Sequence, residues 1–143
     1  MKTPELKRFR VSIYGIVRDE QRRVLVTEST GPKGSFINFP GGGVRLGEAP
    51  LAALHRELYE EVGLWVKPVR ILHASMSFHR GVIKSKRQMV GIYWLCECVG
   101  GELKAGNGAD VVGVRWVAPQ DLEAQPFTSF DCEALAPILL ALA

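Results

Sequence analysis

Apolar and polar residues alternate from Phe9 to Val17, placing Phe9, Val11, Ile13 and Val17 on one face, and this period of two predicts a strand. Asp19-Glu20-Gln21 makes a polar turn into a second strand, Arg23 to Glu28. Both runs carry apolar residues on both faces in places, as strands covered on two sides do. Thr30 to Ser35, with Gly31, Pro32 and Gly34, interrupts the pattern and predicts a loop that either borders a pocket or joins elements. Phe36 to Phe39 is a short extended piece, and Pro40 biases the residue before it away from helix.

The period then changes. Leu51, Leu54, Leu58 and Val62 recur at helical spacing, predicting a helix that starts near Glu48 to Pro50 and is capped by Gly63. Trp65 to Phe78 predicts one or two strands broken near Pro68, and Gln88 to Val99 a long apolar strand ended by Gly100-Gly101. Glu102 to Asp110, with Gly106, Asn107 and Gly108, is a loop before the strand Val111 to Val117. Pro119 to Leu122 predicts a helical turn. Thr128 and Asp131 are spaced as a capping box before a final apolar helix, Cys132 to Leu142. Strands on both sides of an acidic helix, then a terminal helix, argue an α/β layered domain.

The first helix also carries the candidate chemistry. Glu57, Glu60 and Glu61 span an arc of only about 100°, while the apolar stripe is centred about 110° away around the cylinder. Like charges at these spacings repel by a few tenths of a kcal/mol per pair. A solvated acidic face is the bland reading. A hard divalent cation gives the three carboxylates a purpose, since magnesium prefers carboxylate and water oxygens. Just upstream, Gly41, Gly42 and Gly43 let the backbone approach a ligand closely or adopt positive φ.

Composition narrows the class. The 143 residues suit one domain, 1–143, with 47% apolar and 23% charged residues, as in ordinary soluble globular chains. A net charge of +3 suits anionic small substrates and, with no polybasic run, gives no reason to expect a nucleic-acid polymer as partner. No apolar run approaches a membrane span, and MKTPELKRFR lacks the core of a signal peptide. Cys96, Cys98 and Cys132 are too few and odd in number to form a disulfide framework, so a cytoplasmic location is expected. Cys96 and Cys98 extend the strand row Ile92, Trp94 and read as buried small hydrophobes, because nothing nearby completes a zinc set. His73 and His79 show no partner in the sequence and read as structural or solvent-facing. Arg80, Lys84, Lys86 and Arg87 either contact a phosphate chain or form a solvated hairpin tip.

From Gly42 to Leu64 the pattern is glycine, five residues, Glu48, seven residues, then Arg56-Glu57-Leu58-Tyr59-Glu60-Glu61-Val62-Gly63-Leu64. This stretch of 23 residues, preceded by Phe39-Pro40-Gly41, resembles the signature of the Nudix hydrolases at every fixed position. The resemblance implies an α/β/α sandwich with a central mixed β-sheet. It implies magnesium-dependent hydrolysis of a phosphoanhydride in a nucleoside diphosphate linked to another group, with manganese as an alternative ion. By position, Glu57, Glu60 and Glu61 are then metal ligands, one of them alternatively serving as base, and the Gly41 carbonyl helps hold the metal. Glu48 acts in the outer shell or through water, and Arg56 holds the acidic cluster in place. Asp110, just before a strand, is a candidate further acid, with a turn-capping aspartate as the alternative.

Two other classes share this fold. Sensor modules bind nucleotides or sugar nucleotides without cutting them, usually with an eroded signature, and this signature is intact. An isomerase on the same metal site is disfavoured by the short chain and the lack of a second acid–base constellation. His79 and Gly81 stand where some subfamilies carry a proline or tyrosine marking ADP-ribose or dinucleoside polyphosphate hydrolysis, and match neither. Phe36, Phe78 and Tyr14 are the candidate base-stacking aromatics. The expected partner is a small-molecule nucleotide, and a homodimer is left open.

Overall fold

The computed structural model describes residues 5–81, 86–104 and 106–143. Strand β1 (Arg8–Arg18) turns into β2 (Val24–Gly31) through Asp19, whose carboxylate accepts the Gln21 and Arg23 N–H groups at 3.0 and 2.8 Å and pairs with the Arg23 guanidinium at 2.7 Å. There follow β3 (Gly34–Asn38), β4 (Gly41–Gly43), helix α1 (Pro50–Val62), β5 (Leu64–Ala74), the short β6 (His79–Arg80), β7 (Arg87–Gly101) and β8 (Val111–Val117). A 3-10 turn at Pro119–Ala124 leads to helix α2 (Ser129–Leu142). No described helix is long and apolar enough to cross a membrane.

The sheet is mixed, in the order β3-β2-β1-β7-β5. β1 and β7 run parallel from Arg8 beside Arg87 to Arg18 beside Glu97, and the other pairings are antiparallel. β1 pairs with β2 at Arg18 and Val24, while the glycine strand β4 takes the same edge further back, with Ser12 beside Gly43 and Tyr14 beside Gly41. That is how three glycines come to lie alongside the middle of the sheet.

Alternation along β1 divides the core in two. Ile13 and Val17 join Leu25 and the α1 residues Leu54, Leu58 and Val62 on one face. Ile16 joins Val24, Tyr93 and the α2 residues Phe130, Ala134 and Ile138 on the other. Each of the Val, Leu, Ile and Phe side chains among these contributes about 1.5–3 kcal/mol on full burial. Helices on both faces of a mixed sheet give the α/β/α layering that the sequence implies.

Several boundaries differ from the sequence expectations. Thr30 to Ser35 is a tight hairpin, with Gly31 paired to Gly34 and only Pro32 and Lys33 between. Phe9 and Val11 share the face of Ile13 but are 68% and 38% exposed, because the strand starts beyond the cover of α1. Leu51 is likewise exposed in the first turn, and Ala53 is buried instead. Cys96 is buried as expected, whereas Cys98 is exposed. The break near Pro68 is a register shift within one continuous β5. The capping box fails. α2 starts at Ser129 with no side-chain cap at Thr128, and the Asp131 carboxylate turns inward to accept the Tyr93 hydroxyl at 2.5 Å.

Candidate active site

Local chain chemistry delivers α1 to the glycine strand. Pro50 occupies the first turn, and Gly63 closes the helix in the left-handed region at φ 76°, its N–H donating to the Tyr59 carbonyl at 3.0 Å. Between these ends, the buried Leu54, Leu58 and Val62 fix the rotation of the helix and so aim the acidic stripe at β4. Glycine is required where the two meet. Gly41 has φ 151°, and a Cβ on Gly42 would sit 2.5 Å from the carboxyl carbon of Glu57.

Arg56 gathers the acids. Its guanidinium donates to both Glu48 carboxylate oxygens at 2.8 and 2.9 Å, to the Gly43 carbonyl at 3.0 Å, to Glu57 at 3.0 Å and to Glu60 at 3.4 Å. The Arg56 bonds hold the Glu48 carboxyl down at about 2, and they raise the guanidinium above its ordinary value in turn. One fork thus ties α1 to the glycine strand and to the loop between them. Glu60 is the most open of the three helix acids, with its side chain 54% exposed.

Glu61 and Glu57 are under different strain. Glu61 is 9% exposed and accepts the Gly41 N–H at 2.7 Å. Burial pushes its carboxyl up to about 8 against that bond, helped by the charges of Glu57, Asp110 and Glu60. Burial also raises Glu57, with Arg56 opposing. Among the described residues no three His, Cys, Asp or Glu side chains stand as a metal-holding group. Glu57 and Glu60 turn to Arg56 instead, and Glu61 to the Gly41 N–H.

A pocket of about 320 Å³ adjoins this face, and Gly41, Gly42, Glu61 and Asp110 line it. Asp110 accepts an Asn107 amide hydrogen bond at 2.7 Å, and Asn107 itself caps the turn by accepting the Ala109 and Val111 N–H groups at 2.9 and 3.0 Å. Asn107 caps the turn through the backbone, and Asp110 both braces Asn107 and lines the pocket. Of the candidate aromatics, Tyr14 and Phe36 line the pocket, and Phe78 is 56% exposed away from its lining. Of the basic segment, Arg80 and Arg87 line it, and Lys84 lies outside the described residues.

Sequence reasoning missed three features here. Arg10 and Ser12 line the pocket on the strand face opposite Ile13, and the period of two in β1 already placed them together with Tyr14. The two histidines have a shared partner after all. Glu133 on α2 meets His73 at 3.0 Å and His79 at 2.5 Å, and accepts the Met76 and Ser77 N–H groups at 2.6 and 3.2 Å. No short-range pattern links residues 54 or more positions apart. Asp131, pushed up to about 7 by burial against its bonds from Tyr93 and the Phe39 N–H, anchors α2 behind the pocket.

Comparison with known proteins agrees with this geometry. Residues 8–136 match the NUDIX domain. The ADP-ribose pyrophosphatase of Methanocaldococcus jannaschii is 33% identical over 142 residues, covering 94% of this chain and 79% of that protein. An RNA pyrophosphohydrolase of Psychrobacter sp. (strain PRwf-1) is 35% identical over 88 residues, which cover 62% of this chain and half the length of that relative. The structure of a NUDIX hydrolase from Nitrosomonas europaea superposes with a TM-score of 0.76 at 16% identity, covering 93% of this chain and 90% of the other, a likeness of fold. The chain belongs to the NUDIX family.

Proposed function

We propose that this single domain hydrolyses a phosphoanhydride in a nucleoside diphosphate linked to a further group, with magnesium or manganese held by Glu57, Glu60 and Glu61 and by the Gly41 carbonyl. The observation that carries the reading is Glu61, a buried carboxylate with one hydrogen-bond donor and three acidic neighbours. Oxygen-only donors with surplus negative charge fit a hard divalent cation. Such an ion would neutralise diphosphate oxygens and acidify a water for attack.

The chain's own residues do the rest. Arg56 holds Glu57 and Glu60 beside the Gly43 carbonyl, so the acids are positioned before substrate arrives. Glu48 anchors Arg56 and stays ionised. One of Glu57, Glu60, Glu61 and Asp110 takes the proton from the attacking water. Tyr14 and Phe36 offer apolar walls to the nucleoside.

The test is hydrolysis of a panel of nucleoside triphosphates, sugar nucleotides and dinucleotides, with magnesium and with excess EDTA. Turnover of at least one substrate, abolished by the chelator, is expected. Undiminished turnover in EDTA removes the metal assignment, and no turnover across the panel leaves a nucleotide sensor.

A further inference from the structure

The ends of β1 and β7 give the pocket a cationic wall that the hydrolytic chemistry does not use. Arg10 and Arg87 both line the pocket. The parallel register sets Arg8 beside Arg87 and Arg10 beside Met89, so Arg10 and Arg87 share a sheet face, with backbones about 8 Å apart. Both are half-buried, and neither side chain makes a hydrogen bond or ion pair with a described residue. Burial and the charges of Arg10 and Arg8 hold Arg87 below its ordinary value.

The wall runs up to the acids. A Cβ on Gly43 would come within 2.5 Å of the central guanidinium carbon of Arg10, so that head group lies against the glycine strand. Next along the same face is Ser12, 1% exposed, whose Oγ makes no hydrogen bond of good geometry to a described residue and lies near the Tyr14 hydroxyl, where it works against the burial that raises that group. A buried hydroxyl so weakly satisfied is unusual, and its place in the lining of a pocket points to a ligand. Two unpaired guanidinium forks beside it specify an anion, because planar forks match phosphate oxygens two at a time.

We propose that Arg10, Ser12 and Arg87 form a subsite for a phosphate beyond the scissile diphosphate, so that the preferred substrate is a nucleoside triphosphate rather than a nucleoside diphosphate capped by a neutral sugar. This rests on the hydrolase reading of the adjoining acids. A neutral sugar would leave Arg87 without an anion and Arg10 with the charge of Glu57 beyond ion-pair distance, whereas a third phosphate neutralises both forks and relieves their mutual repulsion.

Titration calorimetry in EDTA, which needs no turnover, tests it with ATP, ADP-ribose and inorganic tripolyphosphate as probes. The acidic face repels all three, so the comparison is read as a ratio of affinities. Wild type is expected to bind ATP and tripolyphosphate at least tenfold more tightly than ADP-ribose. Arg87→Gln is expected to lose that margin and Arg87→Lys to keep part of it. Melting temperatures equal to or above wild type are expected for both, confirming that they fold. Ser12→Ala is expected to reduce the margin several-fold. Equal wild-type affinities for ATP and ADP-ribose, an undiminished margin in Arg87→Gln, or ATP binding without tripolyphosphate binding would each overturn the proposal. Absence of hydrolysis with bound ATP would count against the hydrolase reading alone.

Discussion

Glu61 and Glu133 are the same residue type on two helices, the first buried and the second partly exposed, and their environments are opposite. Glu133 meets four partners, the Met76 and Ser77 N–H groups and the rings of His73 and His79, and these bonds hold its carboxyl down at about 2. Glu61 has one N–H donor, from Gly41, and faces Glu57, Asp110 and Glu60; burial drives it up to about 8. A carboxylate that serves the fold is neutralised by the fold's own donors. One whose charge the fold leaves uncompensated is poised for a cation brought from outside.

The largest expected break in this contrast is chemical. Glu57→Gln or Glu61→Gln keeps side-chain volume and removes charge, so the rate of hydrolysis at saturating magnesium is expected to fall about 10²-fold or more. Glu57→Gln leaves metal-free stability unchanged or slightly higher, since repulsion is relieved, and Glu61→Gln does the same above pH 8, where Glu61 is ionised. The apolar stripe of the same helix behaves in reverse. Leu54→Ala, at a fully buried position, is expected to cost about 2–5 kcal/mol by denaturant unfolding. On the structural side, Glu133→Ala removes four hydrogen bonds, two from exposed backbone donors that water can satisfy and two to the part-buried histidines, and an unfolding loss of about 1–2 kcal/mol is expected.

The contrast was half legible in the sequence. The acidic stripe, the Gly63 cap and the glycine strand lie within one stretch of 23 residues, where local periodicity fixes geometry. Arg56 could be placed among Glu57 and Glu60 because one helix spans all three. Glu133 could not be paired with His73 and His79, since that contact depends on how α2 packs across β5 and β6. Asp131 shows the same limit. Its spacing from Thr128 suits a cap, but Tyr93, on a strand 38 residues away, offers a buried hydroxyl that captures the carboxylate. Arg10 and Ser12 were readable from strand parity, yet their role follows only once β7 brings Arg87 alongside.

Smaller effects sharpen the comparison further. Asp110→Asn is expected to lower kcat about tenfold with little change in melting temperature, because Asn107 holds the turn by its own bonds. The two glutamates also predict opposite pH dependences. Glu61, raised from 4.5 to about 8, keeps a proton that the unfolded chain loses, so its contribution falls as pH climbs through that window. Glu133, lowered from 4.5 to about 2, contributes stability above 4.5 that is lost as pH falls toward 2. Melting curves across pH in EDTA are expected to lose the first slope in Glu61→Gln and the second in Glu133→Gln.

The central claim, that ionised Glu61 is held at a cost which a cation relieves, is tested most directly by melting wild type and Glu61→Gln at a pH just above 8, in EDTA and in excess magnesium. Glu61→Gln is predicted to melt at or above wild type in EDTA, and magnesium to raise the wild-type melting temperature by clearly more than that of the variant. A variant that melts below wild type in EDTA, or an equal magnesium response in both proteins, would contradict the account.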